Sequence, residues 1–459
     1  MQAILAIARL TLKAAFRFRL VPLLGAVLIG GVLLLPAAIK DDGTARGLTQ
    51  IVLTYTLGLI TAVLGLTTLW LACGTLARDI EEGQLQVVCV KPVARWQVWL
   101  GKWIGILMLD FLLLGVSAGI VYGQMMWRAG KLPAAQQEQL RSEVFVARGS
   151  FKPPVPEYES EVQRRVEERI KNPQLAAMSR PELARIVREQ VRAELQVIPS
   201  GWSSGWRLDL SGVRDTVRDQ PLFLRVKFFA SQKSPSGTYA GLWEIGPPEA
   251  ARRDRHVLSQ AAETFHEIRV SPNLLDADGI LTVEFQNHNE VALLFPLEEG
   301  IEVLYREGGF GANYLRGLVI VFCWLALLAA VGLAAASFLA FPVAAFFSVT
   351  MLILAFSTGT MRQVIDQGTL RAVDHETGLV GDANLFDAVT VAGFRGMLWT
   401  VNRVRDFSPI ESLSNGRLLS WGTVARAVAQ IVLLAGGLFA AGGMWILTRR
   451  ELATAQGQT

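Results

Sequence analysis

The sequence predicts a polytopic α-helical membrane protein with six transmembrane helices and a large extracytoplasmic α+β insertion that contains an antiparallel β-sandwich. Three observations predict it. Six apolar runs, near residues 20–38, 51–74, 103–125, 315–337, 341–358 and 427–447, are about as long as a bilayer-crossing helix and almost free of charge. Between the third and fourth runs the chain turns polar, and its apolar residues pass from helical spacing to alternation. Basic residues gather in the short loops and chain ends of one side, as the positive-inside bias requires.

The composition agrees. The 459 residues are 51% hydrophobic and only 18% charged, with a mean hydropathy of +0.36, more apolar than soluble domains. Buried helices of a large soluble protein usually keep a polar stripe, and these runs have none. A net charge of +4 does not suggest a nucleic-acid partner. Cys73, Cys89 and Cys323 fall in or beside the apolar runs, and residues 126–312 hold no cysteine, which excludes a disulfide framework or a Cys-ligated metal site there.

Residues 1–125 open with Arg9, Lys13, Arg17 and Arg19 interleaved with Ile4, Ile7, Leu10, Leu12 and Phe16. That pattern predicts a short interfacial helix leading into an uncleaved span, because no small-residue cleavage site follows as a signal peptide would need. Arg78, Lys91, Arg95, Lys102, Arg449 and Arg450 join the same side, against Lys40 and Arg46 in the one short outside loop, so both termini are expected in the cytoplasm.

The cytoplasmic segment 76–102 is charged and bears tryptophan. Asp79, Glu81 and Glu82 follow the second span, Gly83 permits a sharp bend, and Pro92 can start a helix. Trp96, Trp99 and Trp103 recur on one face, suited to the bilayer interface together with Arg17 and Arg19. Lys91, Arg95 and Lys102 are expected in water or on lipid phosphate. Asp110 sits inside the third span, a costly place for an acid, and is read as a pairing group or as part of an intramembrane polar site.

The insertion reads in two parts. Residues 126–201 are polar and helical: Val162, Val166 and Ile170 recur every fourth residue, Asn172 and Pro173 interrupt, and Ser179 with Glu182 forms a capping box ahead of Leu183, Ile186, Val187 and Val191. Residues 202–312 alternate instead, at Trp206, Leu208 and Leu210, at Leu222, Leu224, Val226 and Phe228, at Leu281, Val283 and Phe285, and at Ile301, Val303 and Tyr305. With turn signals between them, these strands predict the sandwich. Trp202, Trp206, Tyr239 and Trp243 are read as its core, with sugar stacking as the sharper alternative. Residues 313–358 carry the fourth and fifth spans, joined by a tight turn with Pro342 opening the fifth. Residues 359–426 return outside, with Arg362, Asp366 and Arg371 in a wet setting, and 427–459 hold the sixth span and a cytoplasmic tail.

The order Asp79, Glu82, Gly83, Leu85, Pro92, Val93, Arg95, Gly101, Lys102 resembles the cytoplasmic coupling segment of ABC-2 type transporter permeases, with Gln84 where that family often has Thr. The basic amphipathic start resembles the family's elbow helix, and the stretch from Pro409 through Gly416 to Arg449, Arg450 and Glu451 resembles its close. The likeness covers about 1–125 and 310–455, not the insertion. It implies a permease subunit, an exporter more than an importer. Asp79, Glu81, Glu82, Gly83, Lys91, Pro92, Arg95, Gly101 and Lys102 would then couple to a separate ABC ATPase that carries ATP and magnesium. It also implies a second permease subunit, the same chain or a paralogue, around a shared route, and short surface or re-entrant helices within 359–426.

Nothing argues for chemistry on this chain. There is no phosphate-cradling Gly-x-x-x-x-Gly-Lys-Ser/Thr loop, no Gly-x-Ser-x-Gly and no His-Glu-x-x-His, and His256, His266, His288 and His375 lack ligand spacing. No cofactor or metal is expected on this subunit. The rival reading is a membrane-anchored binding or signalling protein whose insertion takes an extracytoplasmic partner or glycan.

Overall fold

Helices apolar on every side must be covered by lipid or by one another, and in the computed structural model the longest apolar runs become long helices. The structure describes residues 2–17, 20–38, 45–90, 92–171, 180–248, 253–356, 365, 385–405 and 407–451. Arg19, Lys40, Lys91, Asn172, Pro173, Ser179, Arg362, Asp366, Arg371 and His375 therefore lie outside the described residues. The chain divides into two compact units, one of residues 1–145 with 309–459, the other Val146–Gly308.

The first unit opens with α1 (Gln2–Arg17) and α2 (Leu20–Ala38), and the axes of Gln2–Arg17 and Val21–Pro36 differ by 71°. Next come α3 (Ala45–Glu81), α4 (Gln84–Cys89), α5 (Arg95–Ala129) and α6 (Ala134–Glu143). Among the described residues four helices, Gln50–Glu81, Arg95–Ala129, Phe310–Ala336 and Trp421–Arg449, are long and apolar enough to cross a bilayer, and a fifth crossing arises if the bent N-terminal pair counts as one. They point to a membrane protein. Within the apolar run at 341–358 the described residues are helical over Phe341–Phe356, 16 residues, or about 24 Å, and residues 357 and 358 lie outside the described residues.

The second unit starts later than the composition suggested. α5 stays helical to Ala129 and α6 belongs with the helical unit, so the insertion proper is Val146–Gly308 rather than 126–312. It begins with a strand inside the region expected to be helical, β1 (Val146–Phe151). After it come α7 (Glu159–Ile170) and α8 (Arg180–Gln196), which bury Val162, Val166, Leu183, Val187 and Val191 against each other. Ile170, placed on that stripe by its spacing, is exposed at the helix end.

The remaining strands are β2 (Val197–Ile198), β3 (Ser203–Asp209), β4 (Leu222–Val226), β5 (Phe229–Ala230), β6 (Thr238–Ile245), β7 (Asp254–Ala261), β8 (His266–Val270), β9 (Ile280–Asn287), β10 (Leu293–Leu294) and β11 (Ile301–Gly309). They form three sheets, ordered β1-β11-β4-β8, β2-β10-β5 and β3-β9-β6-β7. The pairings β4·β8, β4·β11, β3·β9, β6·β9 and β6·β7 are antiparallel. Alternation sends Leu208, Leu224, Trp243, Val283 and Val303 into one buried cluster shared by all three sheets.

In the first unit, α10 (Phe310–Ala336) and α11 (Phe341–Phe356) follow, with Pro342 in the first turn of α11. Then come α12 (Leu385–Arg405), α13 (Pro409–Ser414) and α14 (Trp421–Arg449), whose middle, Val428–Gly436, is π-helical. α2, α3, α5, α10 and α14 share the main core of this unit, around Leu57, Leu114, Val321 and Ile431.

Candidate coupling surface

The segment 76–102 is less of a loop than its charge suggests. α3 runs through Asp79 to Glu81, so only residues 82–94 connect it to α5. Gly83 turns the chain with φ 71°, a conformation that a Cβ would strain, and α4 follows at once. Leu85 points inward and is buried, whereas Val87 and Val90 are 69% and 88% exposed, beside exposed Glu82, Gln84 and Gln86. Val87 on α4 and Val90 at its C-cap, with Glu82, Gln84 and Gln86 beside them, form a small exposed apolar patch. Pro92 precedes α5 instead of starting it. The cap is Ala94, whose N–H is accepted by Gln97 Oε1 at 3.1 Å.

The cations expected in water turn inward. Lys102 is buried and donates from Nζ to the Thr75 carbonyl at 2.8 Å and to Asp79 Oδ2 at 2.5 Å, tying α5 to α3. Arg95 Nη1 donates to the carbonyls of Leu447, Thr448 and Arg450 at 3.0, 3.1 and 2.7 Å. It thereby satisfies orphan acceptors at the C-terminus of α14, where a cation also suits the helix dipole. Glu81 Oε1 accepts the N–H of Phe341 at the start of α11, and the Arg78 guanidinium stands 4.5 Å from the Phe341 ring. Arg450, one of the cations of the basic chain end, donates to the Ser337 carbonyl at 3.1 Å and closes the circuit between α14 and the end of α10.

The tryptophans split. Trp96 is 44% exposed, but Trp99 is fully buried, and Trp103 donates from Nε1 to the Ala326 carbonyl of α10 at 3.0 Å. Spacing placed all three on one face; α10 and α14 cover the part of it that carries Trp99 and Trp103. Gly101 also has a packing role. A Cβ there would stand 2.7 Å from Ile7 Cβ, and one at Gly105 would stand 2.7 Å from the Ala8 carbonyl oxygen, so the pair lets α1 lie directly on α5. Arg17, at the other end of α1, is exposed.

Asp110 is buried between α3 and α5, where Oδ1 accepts from Thr68 Oγ1 at 2.8 Å. Its Oδ2 has no partner among the described residues. The pairing group is thus a threonine on a neighbouring helix, a residue that sequence spacing could not select.

Of the four insertion aromatics, Tyr239 and Trp243 are core, Trp206 packs half-buried against Trp243 and Phe295, and Trp202 is exposed. Among the described residues, no group of three or more His, Cys, Asp or Glu side chains could hold a metal ion. Comparison of the chain with protein-family models, with curated proteins and with solved structures returned no match.

Proposed function

We propose that this chain is the permease subunit of an ABC-2 type exporter, driven by a separate ATPase that docks on α4. The observation that carries the reading is the exposed Val87–Val90 face of α4, whose two stems are hydrogen-bonded to α11 and α14 through Glu81 and Arg95. A partner that pulls on α4 therefore pulls on four helix ends, which is what a coupling element must do. ATP and magnesium belong to the partner, and this subunit performs no chemistry.

In this reading the chain crosses the cell membrane six times, the inner membrane in a two-membrane cell. The crossings are α2, α3, α5, α10, α11 and α14. Both termini and α4 face the cytoplasm. The unit Val146–Gly308 lies outside as a sandwich-like domain open to a further partner. Two permeases, identical or paralogous, flank the route. Closure of the ATPase dimer supplies the differential affinity, and the spans are the element with two states.

Co-purification tests it. A tagged wild-type chain is expected to retain a P-loop ATPase, and Val87→Glu with Val90→Glu is expected to lose it while the detergent-solubilised permease keeps its elution volume. Retention of the ATPase by the double variant with undiminished ATP-driven transport sinks the proposal. So does labelling that finds cysteines placed at Glu82 and Val257 on the same side of the membrane.

A further inference from the structure

Next to the Gly101–Gly105 contact, α1, α5 and α10 enclose a groove of about 440 Å³. Leu12 and Phe16 of α1, Met108, Phe111 and Leu112 of α5 and Phe322 of α10 line it, and all of its lining side chains are apolar. It opens outward: Phe16, Met108, Phe111 and Leu112 are each 42–70% exposed. A slot of this kind has no use for water and calls for a hydrocarbon occupant.

The flank of the groove selects which hydrocarbon. Arg9 stands three residues before Leu12, and Lys13 three before Phe16, so the exposed cations form the row of α1 adjoining the groove wall. α1 contains no acidic residue, and among the described residues neither Arg9, Lys13 nor Arg17 has a carboxylate partner. The apolar slot and the cation row beside it together match a chain with an anionic head. We propose that the groove holds one acyl chain of an anionic phospholipid, with its phosphate bound by Arg9 and Lys13. A second copy of this chain is the poorer fit, because a self-complementary interface would bring one cation row toward another. The site rests only on the membrane reading and holds whether or not an ATPase docks on α4.

Native mass spectrometry of the purified full-length chain, offered phosphatidylglycerol and phosphatidylcholine with identical acyl chains, tests it. Wild type is expected to retain the anionic lipid with about thirtyfold preference, one comparable contribution from each of two cations. Arg9→Gln with Lys13→Gln should erase the preference, and Arg9→Lys with Lys13→Arg should keep it. Met108→Trp, which fills the groove, should lower retention of both lipids. Equal retention of the two lipids by wild type overturns the site, as does a preference that survives the Gln pair. Efficient disulfide crosslinking of Met108→Cys to a second copy in vesicles overturns it as well, by assigning the groove to protein.

Discussion

Glu81, the last residue of α3, accepts the backbone N–H of Phe341, the first residue of α11, at 2.8 Å. A side chain from one helix thus caps the N-terminus of another that lies 260 positions further along the chain. Removing the acceptor in Glu81→Ala is expected to cost about 1 kcal/mol, the usual size of an N-terminal cap. Amide exchange should quicken over the first turn of α11. Glu81→Gln keeps an acceptor and should lose less than half of that. Equal exchange in all three proteins would mean that the bond contributes nothing.

The Lys102–Asp79 pair should behave as a buried ion pair does. Asp79→Leu alone leaves a buried ammonium with only the Thr75 carbonyl and is expected to cost about 3 kcal/mol. Lys102→Met added to it removes the stranded charge and should return most of that loss. Thermal unfolding of the four proteins of this cycle in one detergent reads the coupling. Strict additivity of the two single changes would refute the pairing.

In the second unit, Glu302, Arg225 and Glu267 stand opposite one another on β11, β4 and β8. Arg225 donates to Glu267 Oε1 at 2.9 Å and to Glu302 Oε1 at 3.3 Å, while Arg148 of β1 grips Glu267 with two bonds, at 2.9 and 3.1 Å. Burial draws the Arg225 guanidinium below its usual range and the Glu267 carboxylate draws it back; a guanidinium stays charged at neutral pH in either case. Arg225→Met takes the guanidinium away from two buried carboxylates, of which Glu267 keeps Arg148, and is expected to cost about 3 kcal/mol. The check is hydrogen exchange over 222–226 and 301–305 in the full chain, and unchanged protection there would contradict it.

Acid should loosen the α7–α8 hairpin at a definite stage. Hydrogen bonds from Arg164 and Arg165 hold the Glu161 carboxyl down to about 2, against 4.5 for an ordinary glutamate. A depressed carboxyl stabilises above its unfolded value. The contribution is therefore whole above about pH 4.5, declines as the pH falls and is gone near pH 2. Exchange protection of 159–170, followed between pH 6 and pH 2, should fall across that interval in wild type. In Glu161→Gln that part of the slope should be missing; identical profiles would rule the linkage out.

Where sequence was a good guide, a local pattern carried the information. The alternation at Leu222, Leu224 and Val226 and at Leu281, Val283 and Phe285 reports a strand with one buried face, and all six residues are in the shared core. The apolar runs at 51–74 and 103–125 report helices for the same reason. Pattern failed where the partner is remote. Arg95 and Lys102 read as solvated cations because spacing does not show which acceptor each will meet: Asp79, 23 positions back, takes Lys102, and the Arg95 acceptors lie more than 350 positions away. β1 was hidden by Arg148 and Gly149, which break an apolar alternation. Gly149 is demanded by the Tyr305 ring, 2.3 Å from where its Cβ would be, and Arg148 by Glu267. Charge is what marks the segment 76–102 in sequence, but Val87 and Val90 protrude from it, and exposure of an apolar residue leaves no mark in sequence.

α3 is longer than a single crossing requires. At 1.5 Å per residue its 37 residues reach about 55 Å, nearly twice the thickness of the oily layer it would traverse. It is a single rod with no proline along its length. With no proline to bend it, a displacement imposed at Glu81 would reach the opposite rim as a swing of the whole shaft, the way an oar turns a stroke at the handle into a sweep of the blade.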